Sequence, residues 1–534
     1  MGHSKLMNPA QAAALIQDGR TVVVEGAGRL LLSEAILSAL ERRFLETGKP
    51  EGLALIQACG FGNDGDAGAS HFAHAGLVKR VISPGWGDSP RMAQLALANQ
   101  VEAYCFPQGV VGQMIWASAC RNPRVISHVG LGTFVDPRQD GGKMNAVTHE
   151  DLVEVIELDG AEWLTFRVLP IDVAIIRGTT ADEFGNISME HEPVILEPLA
   201  MALAAHASGG LVLAEVKRLV RRGSLHPQAV KVPGILVDGV VVNPDAWQIH
   251  EEVRYNPAFS GEARVPVTPP ADVEISGRMV VARRAAMELF PGAVINIGFG
   301  ISDGVPIVAA QEGLVDDLIF TVEQGTIGGT PQRGRVLAAQ INPEVIIDQL
   351  SQFALYQGGG LDLAFLSFAQ LDREGNVNVS KFGKKLPGCG GFIDISENAK
   401  RVVFCALFSQ ADAVRVEDGA VRVISRGSFT KFPKRVEQVT FNGPRALRRG
   451  QPAIFVTERA VFGLGPRGVE VLEIAPGSDL ERDVLDGMAF RPAISAGLRT
   501  MPPEVFRPTK MGLRQRWTAR PESSGRRASD FGGR

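Results

Sequence analysis

Cysteine is scarce in this chain of 534 residues: Cys59, Cys105, Cys120, Cys389 and Cys405 lie far apart, with no C-x-x-C among them. A disulfide framework and a zinc knuckle are both excluded by that spacing. Histidine ends at His250. The G-x-S-x-G match at Gly300-Ile301-Ser302-Asp303-Gly304 therefore cannot belong to a hydrolase triad whose histidine follows the serine. No G-x-x-x-x-G-K-[ST] phosphate loop occurs, which removes the commonest NTPase class. No stretch approaches the roughly 18 uninterrupted apolar residues of a membrane span, and Met1 to Gln11 holds no apolar run that would serve as a signal peptide. A cytoplasmic protein with free thiols is expected. The net charge of −4 gives no field for nucleic acid or an anionic membrane, so neither is expected as a partner. His71 and His74 form an H-x-x-H with only Asp66 nearby as a third ligand; packing or surface roles are expected there, and no metal.

Hydrophobic residues make up 45% and charged residues 21%, the balance of a folded protein, and the length asks for more than one core. Short β-branched runs alternate with Ala/Leu-rich segments, as in α/β proteins with parallel strands and crossover helices. Strands are predicted at Thr21–Glu25, Arg124–His128, Asp172–Ile176, Leu211–Glu215, Val294–Ile297, Leu318–Val322, Arg401–Ala406 and Ala453–Thr457. Helices are predicted at Ser33–Glu46, Leu196–Ala207 and Gly277–Leu289. One plan occurs twice. A helix and a strand lead to Gly26-Ala27-Gly28 and again to Gly298-Phe299-Gly300, and a D-x-x-G-N motif follows at Asp182–Asn186 and at Asp372–Asn376. The first copy carries about 82 more residues between these landmarks, and that insertion is expected to hold much of the stretch from Gly60 to Asn145. The Pro-rich stretch Asn256 to Pro270 reads as a linker. The expected fold is α/β: two homologous open α/β domains with largely parallel sheets, fused in one chain. They would span 1–264 and 265–517, ahead of a disordered tail at 518–534.

Glu323 ends an apolar strand and precedes Gly325, Gly328 and Gly329. Burying a carboxylate is costly, and glycines remove the side chains that would bar a large substrate from it. Those residues alone fit a nucleophile and a strand-end turn equally well. A second cluster, Gly388-Cys389-Gly390-Gly391-Phe392, offers adjacent N–H groups able to form an anion-binding nest, hence an oxyanion hole. Lys381, Lys384 and Lys385 stand just before it and would suit the phosphates of a charged ligand. The glycine loop Gly298-Phe299-Gly300 has the wrong spacing for a dinucleotide fingerprint. Gly60–Gly65 and Gly463–Gly468 match that pattern, but Asp64 and Asp66 sit in the first and a strand-like run follows the second.

The segments V-E-Q-G-T-I-G-G-T-P at 322–331 and G-C-G-G-F at 388–392 resemble the motifs of family I CoA-transferases. With Pro107-Gln108-Gly109, residues 130–138, Gly141-Gly142, Thr457–Val461 and Met511-Gly512-Leu513, the likeness spans most of 5–515 and is strongest to the single-chain acetate/propionate branch. The resemblance implies that Glu323 is the nucleophile, that amides of Gly390, Gly391 and Phe392 hold the oxyanion, and that Gln108 orients the glutamate or acyl group. Gly298, Gly300, Gly328, Gly329, Lys381, Lys384, Lys385 and Gly388 are then candidates to hold coenzyme A, which is substrate and covalent intermediate, with no tightly bound cofactor. The implied partners are acyl-CoA and short-chain carboxylic acids, and the implied assembly is a homodimer or homotetramer. A carboxylate needs no general base, because it is ionised at neutral pH. The rival expectations are an acyl-CoA hydrolase on the same scaffold and a non-catalytic binder of CoA or another metabolite.

Overall fold

The structure, a computed structural model, describes residues 5–268, 274–409, 411–427 and 431–519. The chain starts with helix α1 (Pro9–Ala14), strand β1 (Thr21–Val24), helix α2 (Glu34–Thr47) and strand β2 (Leu53–Gln57). Strands β3 (Val78–Ile82) and β4 (Glu102–Tyr104) extend the sheet, and helix α3 (Gln108–Ala119) follows. A separate antiparallel sheet is then formed by β5 (Arg124–Ser127), β6 (Val153–Leu158) and β7 (Ala161–Arg167). Strand β8 (Val173–Asp182), helix α4 (Pro198–Ala207) and strands β9 (Leu211–Val220) and β10 (Gly239–Val242) complete the first half. In the order β4-β3-β2-β1-β8-β9-β10 these strands pair in parallel. Their sequences fit that place: Thr21-Val22-Val23-Val24 and Leu53-Ala54-Leu55-Ile56 are continuous apolar runs, and β8 is buried along its whole length, as parallel strands covered on both faces must be.

The second half repeats the plan with helix α5 (Gly277–Ala286) and strands β11 (Val294–Ile297) and β12 (Ile319–Val322). Short strands β13 (Thr326–Ile327) and β14 (Val345–Ile346), helix α6 (Gln349–Gln357), strand β15 (Leu363–Ser367), helix α7 (Phe392–Asn398), and strands β16 (Arg401–Cys405) and β17 (Ala453–Val456) follow. The order β12-β11-β15-β16-β17 is parallel throughout and matches β2-β1-β8-β9-β10 strand for strand. Each half adds to this shared centre in its own way. The first gains β3 and β4 in parallel beyond β2, whereas the second gains β13 and β14 in antiparallel beyond β12.

Two sequence expectations need correction. Arg124–Ser127 is a strand, but it pairs antiparallel with β7 outside the parallel sheet, so the insertion runs past Asn145 to Arg167. Burial shows the difference, since Ile126 is exposed where a parallel central strand would be covered on both faces. The helix at the C-terminal end reaches Ala519, two residues into the expected tail; 520–534 lie outside the described residues. Within the linker, Pro257–Ser260 forms a short helical turn, and 269–273 also lie outside the described residues. No helix among the described residues is long and apolar enough to cross a membrane.

The halves are joined by packing as well as by the linker. Leu386, Cys389 and Ile393 of the second half belong to the hydrophobic core of the first. Around them Trp86 N–H and Gly87 N–H donate to Pro387 O at 2.8 and 3.2 Å, Gly390 N–H to Pro84 O at 2.8 Å, and Gln108 N–H to Gly390 O at 3.2 Å. The 388–392 turn is thus plugged into the first half, at the carboxyl ends of β3 and β4, where open α/β sheets expose their ligand crevices.

Candidate active site

Glu323 follows β12 at the same end of the second sheet. The half-buried carboxylate accepts a hydrogen bond from Gln324 Nε2 at 3.1 Å through Oε1. Its Oε2 lies against Gly391, so closely that a methyl group there would collide with it. The lone strand-end carboxylate and the distant glycine turn, 65 residues apart in sequence, are therefore in contact.

Burial raises the Glu323 carboxyl to about 7; the Gln324 and Gln108 amides favour its charged form, and Asp394 and Asp88 oppose it. Lost solvent and acidic neighbours thus push Glu323 upward from the ordinary carboxylate that the sequence alone suggests. Asp394 is fully buried; its Oδ2 accepts from Gly109 N–H at 3.0 Å and its Oδ1 from Gln357 Nε2 at 2.8 Å. Burial pushes it up to about 7 as well. Asp88 is raised to about 7 by burial and by Asp64. Cys59 Sγ lies 3.9 Å from Gln324 Nε2, and burial with the Glu323 charge pushes its thiol up.

Of the three amides expected to hold an oxyanion, Gly390 N–H is committed to Pro84 O, and Phe392 N–H donates to Cys389 O at 2.9 Å. Gly391 N–H has no acceptor among the described residues, and it is Gly391 that touches Glu323. The glycines expected to clear space have that space filled by the chain itself. Gly328 and Gly329, both at φ +76°, would set a Cβ 2.7 Å from the Glu344 side chain and 2.5 Å from Ile341 O. Gly298 packs against Leu366, Gly300 (φ +113°) against Ser367 Oγ, and Gly388 against Pro84 O. Their common role here is close backbone approach. Between Gly298 and Gly300, however, Phe299 is 72% exposed. Lys381 Nζ donates to Met144 O at 2.8 Å, so that ammonium ties the halves together. Lys384 and Lys385 are exposed on the turn closed by the Phe382–Lys385 bridge. His71 and His74 are paired with Glu34 and Glu41, and Asp66 with Asn63.

Sequence reasoning missed Asp88, Asp394, Cys59, Glu197 and Gln349. Asp394 was reachable, two positions after the glycine cluster. Cys59 was reachable from the duplication: Val24 pairs with Gln57 and Asn296 with Thr321, so two residues on, Cys59 stands level with Gly26 as Glu323 stands level with Gly298. Gln349 and Glu197 carry no motif.

The family model described as Coenzyme A transferase matches residues 6–243. The acetate CoA-transferase YdiF of Escherichia coli (strain K12) is 42% identical over 514 residues, covering 96% of this chain and 97% of that one. The chain belongs to the coenzyme A transferase family. The caffeate CoA-transferase of Acetobacterium woodii is 43% identical over 511 residues, 94% of this transferase and 97% of that one. The crystal structure of YdiF from Escherichia coli O157:H7 superimposes with a TM-score of 0.91 at 41% identity, over 95% of this transferase and 97% of that chain; the same values hold for its thioester complex with CoA. Coenzyme A is accordingly both substrate and covalent partner in this family's chemistry.

Proposed function

We propose that this transferase exchanges CoA between a short-chain acyl-CoA and a free carboxylate, of the acetate, propionate, butyrate or acetoacetate type, with Glu323 as the temporary carrier. The observation that carries this is the contact between the Glu323 carboxylate and Gly391 in the turn that joins the two halves. The ionised carboxylate attacks the acyl-CoA carbonyl, and expulsion of CoA thiolate leaves a mixed anhydride. The thiolate then attacks the Glu323 carbonyl, releasing the first acid and forming a glutamyl-CoA thioester. The second carboxylate attacks that thioester, again expelling CoA thiolate. Attack of the thiolate on the carbonyl of the bound acid gives the new acyl-CoA and returns Glu323, with no net proton consumed.

Each tetrahedral intermediate carries negative charge on oxygen, and Gly391 N–H, together with an amide of Gln108, is the donor set we assign to it. Lys384 and Lys385 are the groups we assign to the phosphates of CoA. The glycines at 298, 300, 328, 329 and 388 shape the surrounding backbone. Acetate among the acids is supported by the likeness to YdiF, and the caffeate enzyme supports a pocket that tolerates variation in this scaffold. We further propose a cytoplasmic homodimer or homotetramer, built of transferase units at 1–264 and 265–517.

The test is incubation with acyl-CoA alone, followed by borohydride or hydroxylamine and peptide mass analysis. A CoA-dependent mass change on the peptide bearing Glu323 is expected, and Glu323→Ala should lose more than about 10⁴-fold in exchange into labelled acetate. Exchange without an adduct, or an active Glu323→Ala, would overturn the assignment. Thiol release without acceptor, faster than exchange, would make the protein a hydrolase.

A further inference from the structure

The helix that begins with Gln108 has no cap from its own flank. Pro107 stands at the cap position of α3 and offers no side-chain acceptor, although the first amides of a helix find no partner within it. The first two are met from the other half. Gln108 N–H donates to Gly390 O at 3.2 Å, and Gly109 N–H donates to Asp394 Oδ2 at 3.0 Å. Asp394 is fully buried in the first turn of α7, just beyond Gly391. Its other oxygen, Oδ1, accepts from Gln357 Nε2 at 2.8 Å, and Gln357 Oε1 accepts from Gln113 Nε2, one turn along α3, at 2.7 Å. The fit leaves no slack: a Cβ built on Gly109 would lie 2.7 Å from Asp394 Oδ1.

The helix capped in this way delivers Gln108 to the site. The Gln108 side-chain amide favours the charged form of Glu323, and its Nε2 is braced by Gln349 Oε1 at 3.0 Å, while Gln349 Nε2 donates to Glu197 Oε1 at 2.5 Å. On the other side of the carboxylate, Gly391 meets Glu323 Oε2. Asp394 is therefore bonded to the residue after one of these partners and follows the other within a single turn of chain. A negative charge also suits the start of a helix. We propose that Asp394 is a positioning residue: from the second half it caps α3 of the first, and so holds Gln108, opposite the Gly391 turn, on Glu323. The proposal rests on Glu323 being the carrier of CoA.

The charge of Asp394 has a second effect. Burial raises Glu323 to about 7, and of its acidic neighbours Asp394 opposes its charge more than Asp88 does. Burial holds Asp394 itself at about 7. Two interacting carboxyls in the same range lose their protons as a coupled pair. The elements packed most closely against α7 are α3, α6 and β15; they carry no charged side chain, and Tyr356 is their one ionisable group, pushed up by burial. Beside the turn, burial and Cys105 push the Cys389 thiol up. Around Glu323 the other ionisable groups are Asp88, Cys59 and Tyr356.

The experiment is the single-turnover rate of Glu323 adduct formation against pH and acyl-CoA concentration. In Asp394→Asn the amide oxygen still accepts from Gly109 N–H, and its N–H₂ faces the Gln357 amide turned over, a change that half-buried Gln113 absorbs. Its rate at pH 8 should stay within about tenfold of wild type, while the acid limb, at about 7 in the wild type, moves down by about one pH unit because a like charge is gone. Asp394→Leu, which cannot cap, should slow adduct formation about 10²-fold at saturation, with half-saturation by acyl-CoA little changed. With Gln108→Leu already in place, the same change should cost less than about fivefold more, since the cap acts through Gln108. Full additivity of the two losses, an Asp394→Leu as fast as wild type, or an acid limb unmoved in Asp394→Asn would overturn the proposal. If Asp394→Leu does not fold, the acid limb of Asp394→Asn decides alone. Absence of any adduct in the wild type would instead overturn the carrier role of Glu323.

Discussion

Cys59 and Glu323 occupy equivalent places in the two halves, and their surroundings differ in one decisive way. After β2, the loop at 59–62 is sealed against the loop at 26–28: Gly28 N–H donates to Gly60 O and Gly62 N–H to Gly28 O, both at 2.8 Å, and Phe61 fills the space beside Gly26. After β12 no such seal exists among the described residues. Phe299 stands out into solvent between Gly298 and Gly300, and the carboxylate rests on a turn supplied by the strand arrangement of its own half but anchored in the other. In the function proposed above, one copy of the repeat is a wall and the other the reacting surface. Duplication alone would give two equivalent loops; the seal and the exchange of carboxylate for thiol make them different.

The sharpest way to break this comparison is to add one methyl group on each side. Gly391→Ala would press on Glu323 Oε2 and should lower kcat about 10²- to 10³-fold with the fold retained. Gly26→Ala would meet the Phe61 ring at 2.8 Å and should cost about 1–3 kcal/mol of stability, seen as a lower Tm, with a smaller effect on kcat in the folded fraction. Equal kinetic losses in both variants would show that the first copy is not a passive wall.

A second distinction is thermodynamic. The Glu323 carboxyl is raised from 4.5 to about 7 in the folded chain, so the folded state binds the extra proton. Its penalty is absent below about 4.5, grows as pH rises toward 7, and is constant above. Glu323→Gln should therefore raise stability by roughly 1–3 kcal/mol at pH 8 and by little at pH 4, measured by denaturant melts at both. A gain independent of pH would show that the strain is steric.

The smallest effect is expected at Cys59. Cys59→Ala removes a protonated thiol whose one polar contact to the site is the 3.9 Å approach of Gln324 Nε2, and should change the rate of adduct formation less than about threefold. A larger loss would place the thiol in the chemistry.

Much of this architecture was legible in the residues. The duplicated loop and D-x-x-G-N motifs carried the repeat because backbone turns constrain sequence locally, and the strands around Val22, Ile295 and Val403 were visible as apolar runs. The antiparallel sheet at 124–167 was not, because a short β-branched run does not reveal its pairing partner. At the site, Glu323 and the 388–392 turn announced themselves through glycine spacing. The commitment of Gly390 and Phe392 N–H to other carbonyls was hidden, since hydrogen-bond partners such as Pro84 come from the opposite half. The raised carboxyls at 88, 197 and 394 were hidden for the same reason: burial is a property of the assembled halves.

The plugging of Leu386, Cys389 and Ile393 into the neighbouring core limits how the molecule can breathe. A clamshell opening along that seam would strip three apolar side chains of their packing and break the bonds at Pro84, Pro387 and Gly390, so this edge behaves as a fixed hinge-pin. The turn at 388–392 is then a stationary anvil against which the Glu323 carboxylate rests, and no domain rotation is needed to assemble that contact.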